Sequence, residues 1–199
     1  MTHRARSGVS LFESITVLAI LAILALLAIP ALPKVLDRTS LEAATDDVLL
    51  AFTEARAFAI THGVDVGVKW FSRHGDVVLT TYEDGNGNGV LTADIRAGKD
   101  RLVAGPRWMR GKYPHVDVTF VPGFAGPDPS GAPIGNPDDP IRFGRSDICT
   151  FAPNGHASPG SVYLSDGKTR QSVVRVTPAN GRIQVLDWHP ETRKWVRRK

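Results

Sequence analysis

Residues 8–15 read Gly8-Val9-Ser10-Leu11-Phe12-Glu13-Ser14-Ile15, and they open a run of 20 uncharged residues from Ser14 to Pro33, mostly Leu, Ile and Ala. At about 1.5 Å per residue such a run makes about 30 Å of helix, the thickness of a bilayer core. A single carboxylate, Glu13, stands at its mouth, and Arg4 and Arg6 precede it. The charge bias predicts that the short leader stays cytoplasmic and the rest lies outside.

Three readings fit a basic leader followed by an apolar run. A secretory signal has an apolar core of about 7 to 15 residues, and this run is longer. A plain anchor tolerates Glu13 through the helix macrodipole but gives Gly8 no role. The third reading uses the whole stretch. Basic leader, Gly8, Val9-Ser10-Leu11-Phe12-Glu13 and the apolar run together resemble the prepilin signature of type IV pilins and type II secretion pseudopilins.

The resemblance implies that a prepilin peptidase cuts after Gly8 and methylates the new amino terminus at Val9, leaving Glu13 as the fifth mature residue. It also implies that Glu13 serves filament assembly by pairing with the amino terminus of a neighbouring subunit. A charged residue at the centre of a membrane helix costs about 2.5 to 3.5 kcal/mol, so a carboxylate there needs such a partner. Pro30 falls where these pilins commonly bend the helix, because proline lacks the N–H and its ring clashes with the preceding turn.

Beyond Lys34 the pattern turns amphipathic. Leu41, Ala44, Val48, Ala51, Ala55, Phe58 and Ala59 recur at spacings of three and four, with acidic and basic residues largely between them. This predicts one helix continuing to a stop near Thr61-His62-Gly63. Strand-like alternation follows at 64–70, 76–82, 115–121, 161–164, 172–177 and 182–188, punctuated by Ser165-Asp166-Gly167 and Asn180-Gly181 turns. Residues 122–147, rich in Pro-Gly, Gly-Pro and Asn-Pro steps, read as an exposed irregular loop.

The expected class is α+β: a pilin-like long N-terminal helix, transmembrane in its first half, packed on an antiparallel β-sheet domain. The expected organisation is a leader at 1–8, a transmembrane helix at 9–33 and its amphipathic continuation at 34–63. A periplasmic β-rich domain at 64–188 and a basic C-terminal tail at 189–199 complete it. Ala55-Arg56-Ala57-Phe58-Ala59-Ile60 before Gly63, Phe151-Ala152-Pro153-Asn154-Gly155, Val174-Arg175-Val176 and Gly181-Arg182-Ile183 resemble, in that order, the GspH/FimT branch of minor pilins and minor pseudopilins. The resemblance implies a structural subunit of a type II secretion pseudopilus or a type IV pilus. Its partners would be the prepilin peptidase, other major and minor pilins or pseudopilins, and the inner membrane. The implied location is a single-pass inner-membrane protein, N-terminus cytoplasmic and C-terminal domain periplasmic, then a filament after assembly.

The formal net charge is +4, and Arg193, Lys194, Arg197, Arg198 and Lys199 against Glu191 carry all of it, so the body is neutral and the C-terminus basic. Those five cations interleave with Trp195, a composition that can hold phosphates while an indole stacks on a base. Some FimT-type proteins bind DNA through a basic C-terminal region, so the resemblance implies DNA as an alternative partner. Gly181-Arg182 matches only the start of the arginine-rich pattern of that group; a solvated tail that aids solubility or touches anionic lipid is the plainer alternative.

Asp84, Asn86 and Asn88 alternate with glycines and Gly89 stands sixth, as in the first half of a calcium loop, but the twelfth position is Ile95 rather than a glutamate. A glycine-rich turn is the simpler reading. The single cysteine, Cys149, excludes an internal disulfide framework and a multi-cysteine metal site. The sequence holds no nucleophile elbow, phosphate loop or zinc signature, and no catalytic residue or cofactor is expected.

Overall fold

The computed structural model describes residues 11–28, 32–178 and 180–198. In chain order the elements are α1 (Leu11–Ala28), α2 (Leu32–His62), β1 (Val66–Arg73), β2 (Asp76–Glu83), α3 (Thr92–Ala97), β3 (Arg101–Trp108) and α4 (Met109–Lys112). They continue with β4 (Ile141–Arg142), β5 (Ile148–Phe151), β6 (Gly160–Ser165), β7 (Gln171–Val176), β8 (Ile183–His189) and β9 (Lys194–Arg197). The chain divides into two compact units, residues 1–37 and 38–199.

This corrects the expected class. In place of one long N-terminal helix the described residues up to His62 form α1 and α2, and the strands form two antiparallel sheets rather than one. Among the described residues no helix is long and apolar enough to cross a membrane. The uncharged stretch that suggested a span is shared between elements: within α1 it runs only from Ser14 to Ala28, 15 residues. At about 1.5 Å each they reach about 22 Å, short of the roughly 30 Å of hydrocarbon. The single-pass inner-membrane location rested on that span and falls with it. Pro30, the expected kink, and Gly8 and Val9, the expected cleavage and methylation residues, lie outside the described residues.

The second unit is built on α2. Leu41, Ala44, Val48, Ala51, Phe52, Ala55 and Ala59 are buried along one stripe of it, the three-and-four spacing at work. That stripe meets both sheets in a single core: Val66, Val68 and Trp70 of β1, Leu79 of β2 and Cys149 and Phe151 of β5 from one, Val162, Leu164, Val174, Val176 and Val185 from the other. Phe52 is its hub, with its ring centroid 6.3 Å from Trp70, 5.6 Å from Phe143 and 6.1 Å from Phe151.

The first sheet runs β3-β2-β1-β5 and the second β4-β6-β7-β8-β9. Side chains alternate across the second sheet by register. Val162 pairs with Val174 and Val174 with Val185 on the face toward α2, whereas Tyr163 pairs with Val173 and Val173 with Leu186 on the other face. The expected strand at 115–121 is absent among the described residues; Asp117 makes only an isolated bridge to Ser165. In its place β3 and β9 act as edge strands of the two sheets, and β3 carries a bulge opposite Leu79–Tyr82.

Candidate functional site

Glu13 lies in the first turn of α1, two residues from its start. From Leu11 to Leu24 the apolar side chains of that helix are exposed: Leu11 by 79%, Phe12 by 80%, Leu18 by 64% and Ile23 by 59%. Their positions cover every side of the helix rather than one stripe. A helix apolar all round is one that ends up buried on every side.

The C-terminal residues divide between the two faces of the second sheet. β9 pairs with β8 in the register Leu186↔Arg197, Asp187↔Val196, Trp188↔Trp195 and His189↔Lys194. Trp195 and Arg197 therefore share the face of Leu186 and Trp188, while Lys194 shares the face of Asp187.

On the outer face the rings close into a cluster. Trp195 lies 5.3 Å from Trp188 and 5.9 Å from both Tyr163 and Phe124, and Phe120 lies 4.5 Å from Tyr163. The Trp195 indole N–H donates to the Pro127 carbonyl at 2.8 Å. Residues 120–134, which join the end of the expected strand at 115–121 to the start of the loop expected at 122–147, are thus a cover folded over this cluster through Phe120, Phe124 and Ile134. Gly126 permits the fit, because a Cβ there would sit 2.7 Å from both Phe124 and Trp188. The same face carries the guanidinium of Arg142 over the Phe120 and Tyr163 rings at 5.6 and 5.8 Å. Arg175 joins it, two residues beyond Val173 on β7.

Arg198 serves the fold. It donates Nε and Nη2 to both oxygens of Asp187 at 2.9 and 2.6 Å, reaches the Ser172 hydroxyl at 3.2 Å and ion-pairs with Asp46 of α2 at 3.3 Å. Burial opposes the charge on Asp187, but the Arg198 and Ser172 hydrogen bonds hold its carboxyl below the ordinary value of 3.8. Arg193, Lys194 and Arg197 are exposed, and Lys199 lies outside the described residues. Of the cations grouped by sequence, the structure brings Arg193 and Arg197 to the aromatic margin, commits Arg198 to α2 and adds Arg142 and Arg175 from elsewhere.

No known family model, curated protein or solved structure matches this chain.

The Asp84 loop is held by its own backbone. Asp84 accepts the N–H of Asn86, Gly87 and Gly89 at 3.0, 2.8 and 2.6 Å. Burial raises its carboxyl, but these N–H bonds outweigh that and leave it below its ordinary value. The amides of Asn86 and Asn88 turn onto Asp94 at 3.3 and 2.9 Å, with Lys99 3.2 Å from the same carboxylate. Asp100 accepts from Gly85 and Leu91. Among the described residues no group of three or more His, Cys, Asp or Glu is placed to hold a metal ion. The loop's centre is Asp94, one residue short of the twelfth position of a calcium loop, together with Asp100, which spacing did not single out. Cys149 is fully buried, and burial pushes its thiol well above the ordinary value, as for a packing residue.

Proposed function

We propose that this chain is a minor pilin or pseudopilin, a structural subunit of a type II secretion pseudopilus or a type IV pilus, acting by assembly rather than catalysis. A prepilin peptidase removes residues 1–8, and the subunit joins other major and minor pilins or pseudopilins through α1. The observation that carries this reading is the exposed, all-round apolar surface of α1 in a chain whose second unit already has a core closed by α2 and two sheets. Apolar helices buried in the centre of a filament remove that surface from water. A carboxylate entering such an interior requires a cation, and the amine of a neighbouring Val9 supplies one. Mass spectrometry of the protein taken from cells with an active prepilin peptidase tests it. The expected product begins at a methylated Val9; an intact Met1–Gly8 segment overturns the reading.

A second reading, binding of DNA, is favoured by the outer face of the second sheet, where Arg142, Arg175, Arg193 and Arg197 gather around the aromatic cluster. These cations would neutralise phosphates, so affinity for a single strand should fall with salt, and the slope of log K against log salt should flatten by about 0.7 for each phosphate no longer neutralised. Replacing Arg142, Arg175, Arg193 and Arg197 by alanine should weaken binding and flatten that slope. Unchanged affinity removes this face from consideration.

A further inference from the structure

A cavity of about 250 Å³ opens on the outer face of the second sheet, lined by Asp128, Arg142, Ser161, Tyr163 and Arg175 with Pro159 and Pro178 among its walls. Most of its polar groups are already engaged. Arg142 donates Nε to the Asp139 carbonyl at 3.0 Å and Nη2 to the Asn136 carbonyl at 2.6 Å, which fixes its plane against the rings. Tyr163 is hydrogen-bonded to Ser161, and burial pushes its phenol up to about 12, so it stays neutral.

Two groups remain. Asp128 accepts the Ser130 N–H, the Ser130 hydroxyl and the Ala132 N–H at 2.8, 2.6 and 2.9 Å, all on Oδ1. Among the described residues Oδ2 accepts no hydrogen bond, and the Arg175 guanidinium makes neither a hydrogen bond nor an ion pair within 4.0 Å. The cavity therefore offers one ionised acceptor and one planar fork of donors that do not satisfy each other.

A free phosphate would meet the Asp128 charge, which argues against a simple anion site. A neutral partner carrying a donor beside acceptors satisfies both groups. The cavity is smaller than the roughly 300–1,000 Å³ of sites for larger ligands, so it suits one ring system. We propose that this cavity reads a single base of a strand lying on the sheet face, choosing cytosine and guanine over adenine and thymine. Cytosine presents N4–H beside N3 and O2, and guanine presents N1–H beside O6 and N7: in each, one donor for Asp128 adjoins two neighbouring acceptors for the Arg175 fork. Adenine and thymine lack that order of groups, and base edges exposed in single strands are read this way. The assignment rests on the DNA-binding reading above and deepens it.

Fluorescence anisotropy of the full chain in a non-ionic detergent, with labelled dC10 and dT10, compares two pyrimidines that differ mainly in their donors and acceptors. The expected result is dC10 bound about tenfold tighter than dT10. Asp128→Asn turns the free acceptor into a donor while keeping Oδ1, and Arg175→Gln removes the fork. Both should bring the ratio to about one with dT10 still bound, and an unchanged melting temperature certifies the fold. Equal affinities in the unaltered chain overturn the base-reading cavity and leave strand binding intact. If neither strand binds at low salt, strand binding falls, and NMR titration with cytidine monophosphate decides the cavity. Shifts at its lining residues that vanish in Asp128→Asn retain it as a mononucleotide site, and their absence overturns it.

Discussion

At the scale of single residues, the Arg198 guanidinium joins β8, β7 and α2 by holding Asp187, Ser172 and Asp46 at once. Its side chain is 22% exposed and that of Asp187 34%, so solvent weakens the pair without cancelling it. Asp187→Asn should lower stability at neutral pH by about 1–3 kcal/mol, the range for leaving a buried hydrogen-bonding partner unsatisfied. The dependence on pH has a definite sign. Because the folded carboxyl is held below 3.8, the unfolded chain binds more protons just under that value, and stability falls as pH drops through the folded titration. Urea unfolding should show the gap between the unaltered chain and Asp187→Asn full above about pH 5 and narrowing below pH 4. A gap independent of pH would assign the loss to packing alone.

Among elements, α2 and the two sheets depend on one another through Phe52. Phe52→Ala should cost about 3–5 kcal/mol, the range for emptying a buried aromatic site, measured as a lower urea midpoint. The cover over the outer aromatic cluster makes a separate prediction. Gly126→Ala forces a methyl group against the Phe124 and Trp188 rings, and overpacking of this kind costs about 1–3 kcal/mol. Its expected signature is a changed tryptophan emission from Trp188 and Trp195, with proteolysis rising within 120–134 before the rest of the domain opens.

These same elements mark what periodicity can reveal. The stripe Leu41 to Ala59 was legible because one face of α2 is buried; β1, β2, β6, β7 and β8 were legible from strand-like residue patterns bounded by turns, although β1, β6 and β7 are buried on both faces. β3 was hidden by Gly105-Pro106, which reads as a turn but is tolerated in an edge strand that needs no N–H from proline. β9 was hidden because its charges resemble a solvated tail, although Trp195 anchors it. Pairing between distant strands has no local signature, so the division into two sheets, and with it the meeting of Arg142, Arg175 and Asp128, lay outside what one strand's pattern can carry. The apolar run before Pro33 was legible as composition and misread as a span, because its length was counted across the boundary between two helices.

On the scale of the whole molecule, the proposed function assigns folding to the closed second unit and assembly to the exposed α1. Phe52 and Arg198 belong to the first; the proposed assembly role falls to Glu13, which stands in the opening turn of a helix whose apolar side chains from Leu11 to Leu24 are exposed. Glu13→Gln keeps the size and hydrogen-bonding capacity of the side chain and removes its charge. The expected result is a melting temperature unchanged for the 38–199 unit together with loss of the subunit from sheared, sedimented filaments in cells. A charge reversal supplies the sharper comparison. Glu13→Lys places like charges together if the partner is an amine, so it should assemble worse than Glu13→Gln even though both lack the carboxylate. If the two substitutions assemble as well as the unaltered chain, the apolar surface of α1 alone drives association, and Glu13 has no part in choosing its neighbours.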